Sequence, residues 1–410
     1  MSQIQQSAGR DPRLDFFRGV AMLIIFIAHV PNNRFANWIP ARFGFSDAAE
    51  MFVFLSGMAA AIAFAGTYGR AGFVVGSARI GFRCFQLYAA HLGMFFLIAA
   101  ICVFANASLA GGVDYINGLN LWRFFNSTPD ALLDLMTLTY VPNYFDIIPM
   151  YMGVLALVPV VMALSRIHHL APPAFCLALY AAMWILDLEF LADSTNDRPW
   201  FFNPFGWQLL FFTGFCLGTG WVKVPAYRTW LMVLCVAYVL LAVPLAHWPI
   251  WREFEWMKEL RFALKPFWID KTNFGLMRWL HFLALAYITV NLLDGRVHWL
   301  QMRWAAPIVK TGQNALPVFF LSMTLSYVAG IVLDQIGRSG STFTLVNLGG
   351  MGILILAAYM FGWFKATPWK RKPPPVAKET TSVRAETVQA STDTSRDTPP
   401  DPATLGARPA

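Results

Sequence analysis

The sequence contains few charged residues. Asp, Glu, Lys and Arg make up 13% of its 410 residues, whereas a soluble globular protein has roughly a quarter. Hydrophobic residues account for 57% and aromatic residues for 16%. A soluble chain of this length would form two or three domains with polar surfaces. About half of this chain consists instead of apolar runs, most of them close to the roughly 17–25 residues that cross a bilayer. The composition therefore indicates a membrane protein.

The sequence also lacks paired cysteines and the short motifs of several enzyme classes. Its five cysteines lie in or beside apolar stretches, without a CxxC pair or a metal-ligand spacing. We therefore expect neither a disulfide framework nor a metal site. No dinucleotide-binding glycine motif, P-loop, HExxH or lipase-type GxSxG is present, so these classes have no support. We expect no tightly bound cofactor.

Ten apolar segments predict an all-α bundle of about ten transmembrane helices. Their approximate bounds are 16–30, 48–66, 86–107, 147–164, 172–190, 207–222, 230–247, 277–293, 306–333 and 343–364. The ninth segment contains Lys310, Gly312, Gln313 and Pro317. We therefore expect it to begin as a loop or a broken helix that faces protein rather than lipid.

The positive charges predict the orientation of the bundle. Lys and Arg are concentrated before the first span, in every second loop and after the last span, which places both termini in the cytoplasm. This distribution explains the net charge of +8 without a nucleic-acid partner. Segment 247–274 is an exception, because it carries five basic residues on the predicted outer side. The predicted parts are a cytoplasmic segment 1–12, a membrane-embedded domain 13–365 and a disordered cytoplasmic tail 366–410.

The first span carries three residues that are costly inside a membrane and are therefore functional candidates: Asp15, Arg18 and His29. Asp15 and Arg18 are three residues apart and can pair on one helix face. Arg18 and His29 are eleven residues apart, so they project from the same face at roughly 16 Å along the axis. Arg18 then lies near the cytoplasmic boundary and His29 near the outer one. The same His29 also fits an interfacial histidine that ends a helix before Pro31.

Carboxylates at the same outer level favour a catalytic role for His29. Glu50 lies at the start of the second span, and Asp146 directly precedes the fourth. Either can hold the imidazole in one tautomer, so that His29 acts as a general base. Glu50 is equally suited to stabilising a helix N-terminus. Further polar candidates lie at outer helix ends: Asn143, Arg278 and His281.

A second cluster lies on the predicted cytoplasmic side. Arg79 and Arg83 precede the third span, and guanidinium groups bind phosphate well. Ordinary positive-inside topology explains the same two residues, so both interpretations stay open.

Three segments carry a resemblance to a known family: RLDFFRGVAMLIIFIAH at 13–29, EMFVFLSG at 50–57 and VPNYFDIIPMY at 141–151. Together they resemble the OpgC family of integral membrane proteins, which looks related to the wider acyltransferase-three superfamily. Members of that superfamily carry Arg or Lys, ten residues, then His in the first span, and Arg18 and His29 match this spacing. The superfamily's RxxR-like element is one residue longer here, between Arg79 and Arg83.

The resemblance implies a multi-pass O-acyltransferase of the bacterial inner membrane. The implied reaction succinylates periplasmic glucans, with succinyl-CoA as the cytoplasmic donor and membrane lipids as surroundings. We expect the CoA phosphates near Arg79 and Arg83, with Arg18 guiding the donor or holding the first span. His29 would act as general base or acyl acceptor, oriented by Glu50 or Asp146.

Two other functions remain open. Buried charge and spans interrupted by Pro and Gly also describe a transporter or flippase for a glycan or an organic anion. The absence of an internal repeat, and polar groups gathered near one face, weigh against it. A structural subunit of a glucan-export complex would leave His29 and its neighbouring carboxylates unexplained.

Overall fold

The computed structural model describes residues 11–109 and 111–369. Nearly all of the predicted segment 1–12, and the predicted tail from residue 370 onward, therefore lie outside the described residues. Within the described part the chain is helical, apart from one antiparallel pair of short strands in which Leu191 faces Pro199.

Helices occur at every apolar segment of the sequence. In chain order the described helices are α1 (Pro12–His29), α2 (Ala48–Ala60), α3 (Gly66–Ser108), α4 (Tyr115–Gly118), α5 (Trp122–Asn126), α6 (Thr128–Thr137), α7 (Ile147–Ala156), α8 (Val158–Leu164), α9 (Ala171–Leu186), α10 (Pro204–Thr219), α11 (Thr229–Ala246), α12 (Trp248–Trp251), α13 (Glu255–Leu264), α14 (Leu276–Leu293), α15 (Ala306–Gln313), α16 (Ala315–Ile336) and α17 (Gly340–Lys365). The strands are β1 (Leu191–Asp193) and β2 (Arg198–Pro199). Short 3₁₀ helices lie at Arg34–Asn37, Pro40–Arg42 and Val297–Gln301, and a π-helical turn, Ala61–Ala65, joins α2 to α3.

Six of these helical segments in the described part of the chain are long and apolar enough to cross a membrane: Ala48–Ser108, Ile147–Leu164, Thr229–Ala246, Leu276–Leu293, Ala315–Ile336 and Gly340–Lys365. Helices α9 and α10 are shorter, with 16 residues each. Helix α1 has 18 residues but carries three charged side chains in its first two turns. The chain is thus an all-helical, multi-pass membrane protein.

The segment predicted as the basic loop 67–85 is helical, which corrects that part of the prediction. Only Gly72, at φ 81° and ψ 176°, interrupts it, in a conformation open mainly to glycine. The two arms fold back on each other, so that the Tyr68 hydroxyl lies 3.2 Å from the Ser77 hydroxyl. Arg79 crosses between the arms and donates to the Ala63 carbonyl at 2.8 Å. The π-helical turn interrupts the regular i to i+4 hydrogen bonds of the helix. Arg79 therefore donates to a carbonyl within that turn, that of Ala63.

Helix α1 lies at the centre of the bundle, packed against α2, α15, α16 and α17. Its contact with α15 is a close backbone approach, since a Cβ on Gly312 would lie 1.7 Å from the Asp15 carbonyl oxygen. The ninth apolar segment is broken as expected, because Asn314 leaves helical geometry between α15 and α16. Its side chain donates to the Ala358 carbonyl at 3.0 Å. The broken segment therefore faces protein rather than lipid.

The structure shows how the basic segment 247–274 is accommodated. It contains α12 and α13, and three of its five basic side chains form ion pairs: Arg252–Glu253, Lys258–Glu255 and Lys271–Asp47. Arg261 donates to the Leu245 carbonyl. Most of these basic side chains therefore have partners within the protein. The segment departs less from the cytoplasmic excess of Lys and Arg than its composition suggests.

Candidate active site

His29 is the last residue of α1, and its ring is half-buried. Its Nδ1 lies 2.7 Å from the Ile25 carbonyl oxygen, one helical turn earlier. A carbonyl only accepts hydrogen bonds, so Nδ1 carries the proton and Nε2 keeps its lone pair. The backbone of α1 therefore holds the imidazole in a tautomer that can accept a proton at Nε2.

Helix α1 ends at His29 because of the residues that follow it. Pro31 disfavours helical geometry at the preceding residue, and Val30 accordingly has φ −66° and ψ 118°. The Val30 amide still bonds the Phe26 carbonyl at 3.3 Å. His29 thus lies at the C-terminal end of α1. The helix backbone precedes it, and a turn follows it. We call this region, with the ends of the helices around it, the His29 end.

Glu50 is at the His29 end but does not orient His29. Its Oε1 accepts hydrogen bonds from Nε and Nη2 of Arg278, at 2.9 and 2.5 Å. Its Oε2 accepts from the Asp47 amide at 2.8 Å and completes a capping box with Asp47. Among the described residues no hydrogen bond joins Glu50 to His29. Glu50 and Arg278 form a buried ion pair that anchors α14 to the start of α2. Both side chains are thus occupied by each other in this structure.

Among the described residues no hydrogen bond joins Asp146 to His29 either. It is buried just before α7, and its Oδ1 accepts from the Phe201 amide at 3.4 Å. Burial raises the pKa of Asp146 to about 6, against the opposing charge of Arg198. Tyr144, two residues earlier, is the side chain of this loop that contacts His29. The two rings meet edge to face with centroids 5.3 Å apart.

Tyr144 was not singled out for this role from the sequence. It has φ 74°, an unusual backbone conformation for a residue other than glycine. Such conformations persist where the surroundings impose them, frequently at functional sites. Asn143 is half-buried beside it. The loop 141–151 therefore reaches His29 through Tyr144, rather than through either of the polar residues predicted from the sequence.

His281 supports the loop that leads into α2. Its Nδ1 lies 2.7 Å from the Ser46 hydroxyl, and its ring packs so tightly on Gly44 that a Cβ there would lie 2.4 Å from Cε1. His281 is 2% exposed. The next residue in the loop, Asp47, caps α2 and pairs with Lys271 at 2.6 Å. His281 thus belongs to the packing of the His29 end.

Asp47 and Lys271 supply the charges that act on His29. Both interact electrostatically with its ring, and Lys271 also lies over the rings of Phe201 and Phe202. Burial alone would raise the pKa of Asp47, but Lys271 and Arg278 outweigh it, and the pKa lies below its usual range. Asp47 is therefore the carboxylate that acts electrostatically on His29. It stays ionised and is paired with Lys271.

The other end of α1 borders a cavity of about 440 Å³. The cavity is lined by Arg18, Phe52, Ser56, Arg83, Tyr151, Gln313, Asn314, Phe361 and Lys365, among others. Arg18 has an ion pair with Asp15 at 4.0 Å, as the three-residue spacing predicted. We call this region the Arg18 end. Basic groups from three different helices and two amide side chains meet there around one open space.

Arg79 does not take part in this cavity. Its guanidinium is held by the Ala63 carbonyl and the Thr67 hydroxyl, and it lies 5.3 Å from the centroid of Phe64. Arg83 is one turn further along α3, lines the cavity and donates to Gln86 at 3.2 Å. The structure thus separates the two arginines that the sequence grouped together.

Aromatic side chains form part of the cavity lining. Phe52 stacks on Phe319 with centroids 5.8 Å apart and planes 17° from parallel, and it meets Tyr151 at 6.3 Å. Phe52 lies two residues after Glu50, so the cavity extends from Lys365 to the second turn of α2.

A family model described as OpgC protein matches residues 10–366. The chain belongs to this family. No match is found among curated proteins or among solved structures. The matched region of this OpgC protein contains both ends of α1, the cavity and every residue discussed above. Among the described residues, no group of three or more His, Cys, Asp or Glu side chains is placed to hold a metal ion.

Proposed function

We propose that this OpgC protein is a membrane O-acyltransferase that moves a succinyl group from succinyl-CoA to hydroxyl groups of periplasmic glucans. The observation that carries the proposal is the construction of α1. One helix presents a basic residue to a cavity at the Arg18 end and a proton-accepting imidazole at the His29 end. A donor with phosphates at one end and a thioester at the other matches this arrangement.

The Arg18 end supports binding of the phosphate-bearing part of the donor. Arg18, Arg83 and Lys365 bring positive charge to the cavity, and charge-assisted hydrogen bonds to phosphate are among the strong ones in proteins. Gln313 and Asn314 add amide groups that suit the polar pantetheine arm. The arm would run from the cavity past Phe52 towards His29. Acyl-CoA is a substrate here, and the proposal includes no tightly bound cofactor.

The His29 end supports the transfer step. In the direct mechanism Nε2 of His29 takes the proton of a glucan hydroxyl while the oxygen attacks the thioester carbonyl carbon. The carbon–sulfur bond breaks, and the imidazolium returns its proton to the leaving CoA thiolate. In the alternative, Nε2 attacks the thioester carbonyl carbon, the carbon–sulfur bond breaks and the CoA thiolate leaves. The glucan hydroxyl then attacks the acyl carbon, the bond from that carbon to Nε2 breaks, and the hydroxyl proton passes to the thiolate. Both mechanisms need the lone pair on Nε2.

The proposal includes a topology. We infer ten spans in the bacterial inner membrane, with α1, α9 and α10 crossing in addition to the longer helices, with the Ala48–Ser108 segment crossing twice around Gly72, and with both termini cytoplasmic. The Arg18 end then faces the cytoplasm, where acyl-CoA is made, and the His29 end faces the periplasm. The distribution of Lys and Arg supports this orientation.

A transporter or flippase is the second candidate, and the break at Asn314 favours it, because interrupted helices beside a cavity occur in transporters. The functions differ in one property. An acyltransferase consumes acyl-CoA, whereas a transporter leaves it intact. Slow hydrolysis of succinyl-CoA by the purified protein, lost in His29→Ala, would identify the enzyme.

The experiment that tests the proposal is mass spectrometry of periplasmic glucans from a deletion strain. The strain is complemented with wild type, His29→Ala or His247→Ala, at matched membrane levels. His247 is the control because its Nδ1 also contacts a backbone carbonyl, that of Arg42. We expect succinylated glucans with wild type and His247→Ala but not with His29→Ala. Full substitution by His29→Ala would reject the mechanism, and unchanged glucans in every strain would reject the acceptor.

A further inference from the structure

The turn that follows His29 is fixed by side chains from distant parts of the chain. Residues Val30 to Asn33 leave the helix in an extended and then a left-handed conformation, with Asn32 at φ 53°. Pro31 packs against Gly330 of α16 so closely that a Cβ on that glycine would lie 2.6 Å from the proline Cδ. This turn therefore has little room to move towards α16.

Arg338 bonds the backbone of the turn directly. Its Nη1 donates to the Pro31 carbonyl at 2.9 Å and to the Asn32 carbonyl at 3.3 Å. Asp334 holds the guanidinium in place, since its Oδ1 accepts from Nε at 3.0 Å and from Nη2 at 2.7 Å. The other oxygen of Asp334 accepts from the Tyr115 hydroxyl at 3.3 Å. The fork of one arginine thus links α16 to two carbonyls just beyond His29.

A pair of amides fixes the other side of the turn. Asn33 and Asn347 exchange two hydrogen bonds, at 2.8 and 3.0 Å, and Asn347 is fully buried. Asn33 also donates to the Ile27 carbonyl at 2.9 Å, and Asn347 to the Phe343 carbonyl at 2.8 Å. The Ile27 carbonyl lies in the last turn of α1, where helical partners are missing. The amide pair therefore joins the end of α1 to α17.

We propose that Arg338, Asp334, Asn33 and Asn347 form a clamp that positions His29, an inference that rests on the proposed role of His29. The last turn of a helix frays easily because its carbonyls have no partners further along the chain. The bond from Nδ1 of His29 to Ile25 exists only while residues 25–29 stay helical. The clamp replaces the missing continuation of the helix and so keeps the proton on Nδ1 and the lone pair on Nε2. These four are positioning residues, since they act through His29.

Hydrogen exchange measured by mass spectrometry on the full-length protein in nanodiscs tests the clamp without any need for acyl transfer. In Arg338→Gln we expect amide exchange in a peptide covering 26–33 to rise about tenfold or more, since a hydrogen bond to a charged group is lost. Arg42→Gln is the matched control, because Arg42 bonds the Ala36 carbonyl in the same connection but not the turn. Equal exchange in the two variants would overturn the proposal.

Reaction of His29 with diethyl pyrocarbonate, followed by peptide mass spectrometry, reports on the ring itself. We expect faster modification of His29 in Arg338→Gln and in Asn347→Asp than in wild type, because a frayed turn exposes Nε2. Asn347→Asp is the more disruptive variant. It still accepts from Asn33, but it loses the donor to the Asn33 and Phe343 oxygens and places a carboxylate at a fully buried position. If both variants fold and His29 reacts at the wild-type rate, the clamp does not position it.

A charge exchange separates carbonyl anchoring from simple ion pairing. Asp334→Arg with Arg338→Asp retains the pair, but an aspartate at 338 has no donor for the Pro31 and Asn32 carbonyls. We expect this double variant to behave like Arg338→Gln, with kcat lowered about 10- to 100-fold by misplacement of His29 and the donor KM within about twofold. Restored kcat would show that the pair alone matters. If wild type transfers no acyl group, the proposed function fails. The hydrogen-exchange and diethyl pyrocarbonate results still decide whether the clamp positions His29.

Discussion

The two ends of α1 differ in how their polar groups are used. At the His29 end the charged groups are paired with one another, as in Glu50 with Arg278 and Asp47 with Lys271. At the Arg18 end Arg18, Arg83 and Lys365 surround a cavity of about 440 Å³. The first arrangement fixes geometry, and the second leaves room for a ligand. At one end of the helix the charged groups are fixed by their partners, and at the other they border an open space.

The largest expected effect breaks the network of the His29 end. Glu50→Ala leaves Arg278 buried without its partner, and removing one member of a buried pair costs about 3–5 kcal/mol. We expect a marked fall in melting temperature in detergent, together with lower membrane levels. Glu255→Ala is the control, because the pair of Glu255 with Lys258 is exposed and worth at most about 1 kcal/mol. Similar losses in both variants would contradict the distinction between the two kinds of ion pair.

The next effect separates the two arginines near the Arg18 end. Arg83→Ala should raise the KM for succinyl-CoA about 10-fold or more, since a charge-assisted contact to phosphate is lost. Arg79→Ala should leave that KM within about twofold and lower the melting temperature instead, because Arg79 holds the helical hairpin together. Steady-state kinetics and thermal unfolding of the two purified variants check this. A KM effect in Arg79→Ala as large as in Arg83→Ala would restore the grouping expected from the sequence.

The remaining effect is confined to part of the pH range and concerns Asp146, whose burial raises the pKa to about 6. The folded protein then binds a proton that the unfolded chain releases near its ordinary pKa of 3.8. Stability is therefore lost as the pH rises from about 4 to about 6, and the loss persists above it. We expect Asp146→Asn to be more stable than wild type at pH 7, by about 3 kcal/mol, and equal to it below pH 4. Thermal unfolding across pH measures the difference. A constant difference at all pH values would contradict the shift.

The sequence predicted the helices well, because the length of an apolar run is a local property. Helix α11 and the segment Ile147–Leu164 lie within one residue of the predicted bounds. The hairpin around Gly72 was not predicted, because residues 67–85, which include Arg79 and Arg83, lie between two apolar runs. Those arginines are compatible with helix, and Arg79 satisfies a carbonyl 16 residues away. A contact of that kind has no local signature.

The candidate site was predictable only in part, for the same reason. The spacing of Arg18 and His29 is a property of one helix, so their separation to opposite ends of α1 follows from the sequence alone. The partner of Glu50 is Arg278, 228 residues away, and periodicity does not indicate such a pairing. The sequence predicts that a carboxylate orients His29, and this stays a prediction; the hydrogen bond of the ring in the structure is to the Ile25 carbonyl. A backbone acceptor has no residue type, so a search for suitable side chains cannot find it.

The most direct test of the account is acyl transfer across a bilayer. The purified protein is reconstituted in vesicles, which are sorted so that the Arg18 end faces outward. Periplasmic glucan is enclosed inside, and labelled succinyl-CoA is added outside. The account predicts labelled glucan inside with wild type, a loss of about 10²–10⁴-fold in His29→Ala, and no loss in His247→Ala. Label reaching the glucan at the wild-type rate in His29→Ala would contradict the assignment of the two ends of α1.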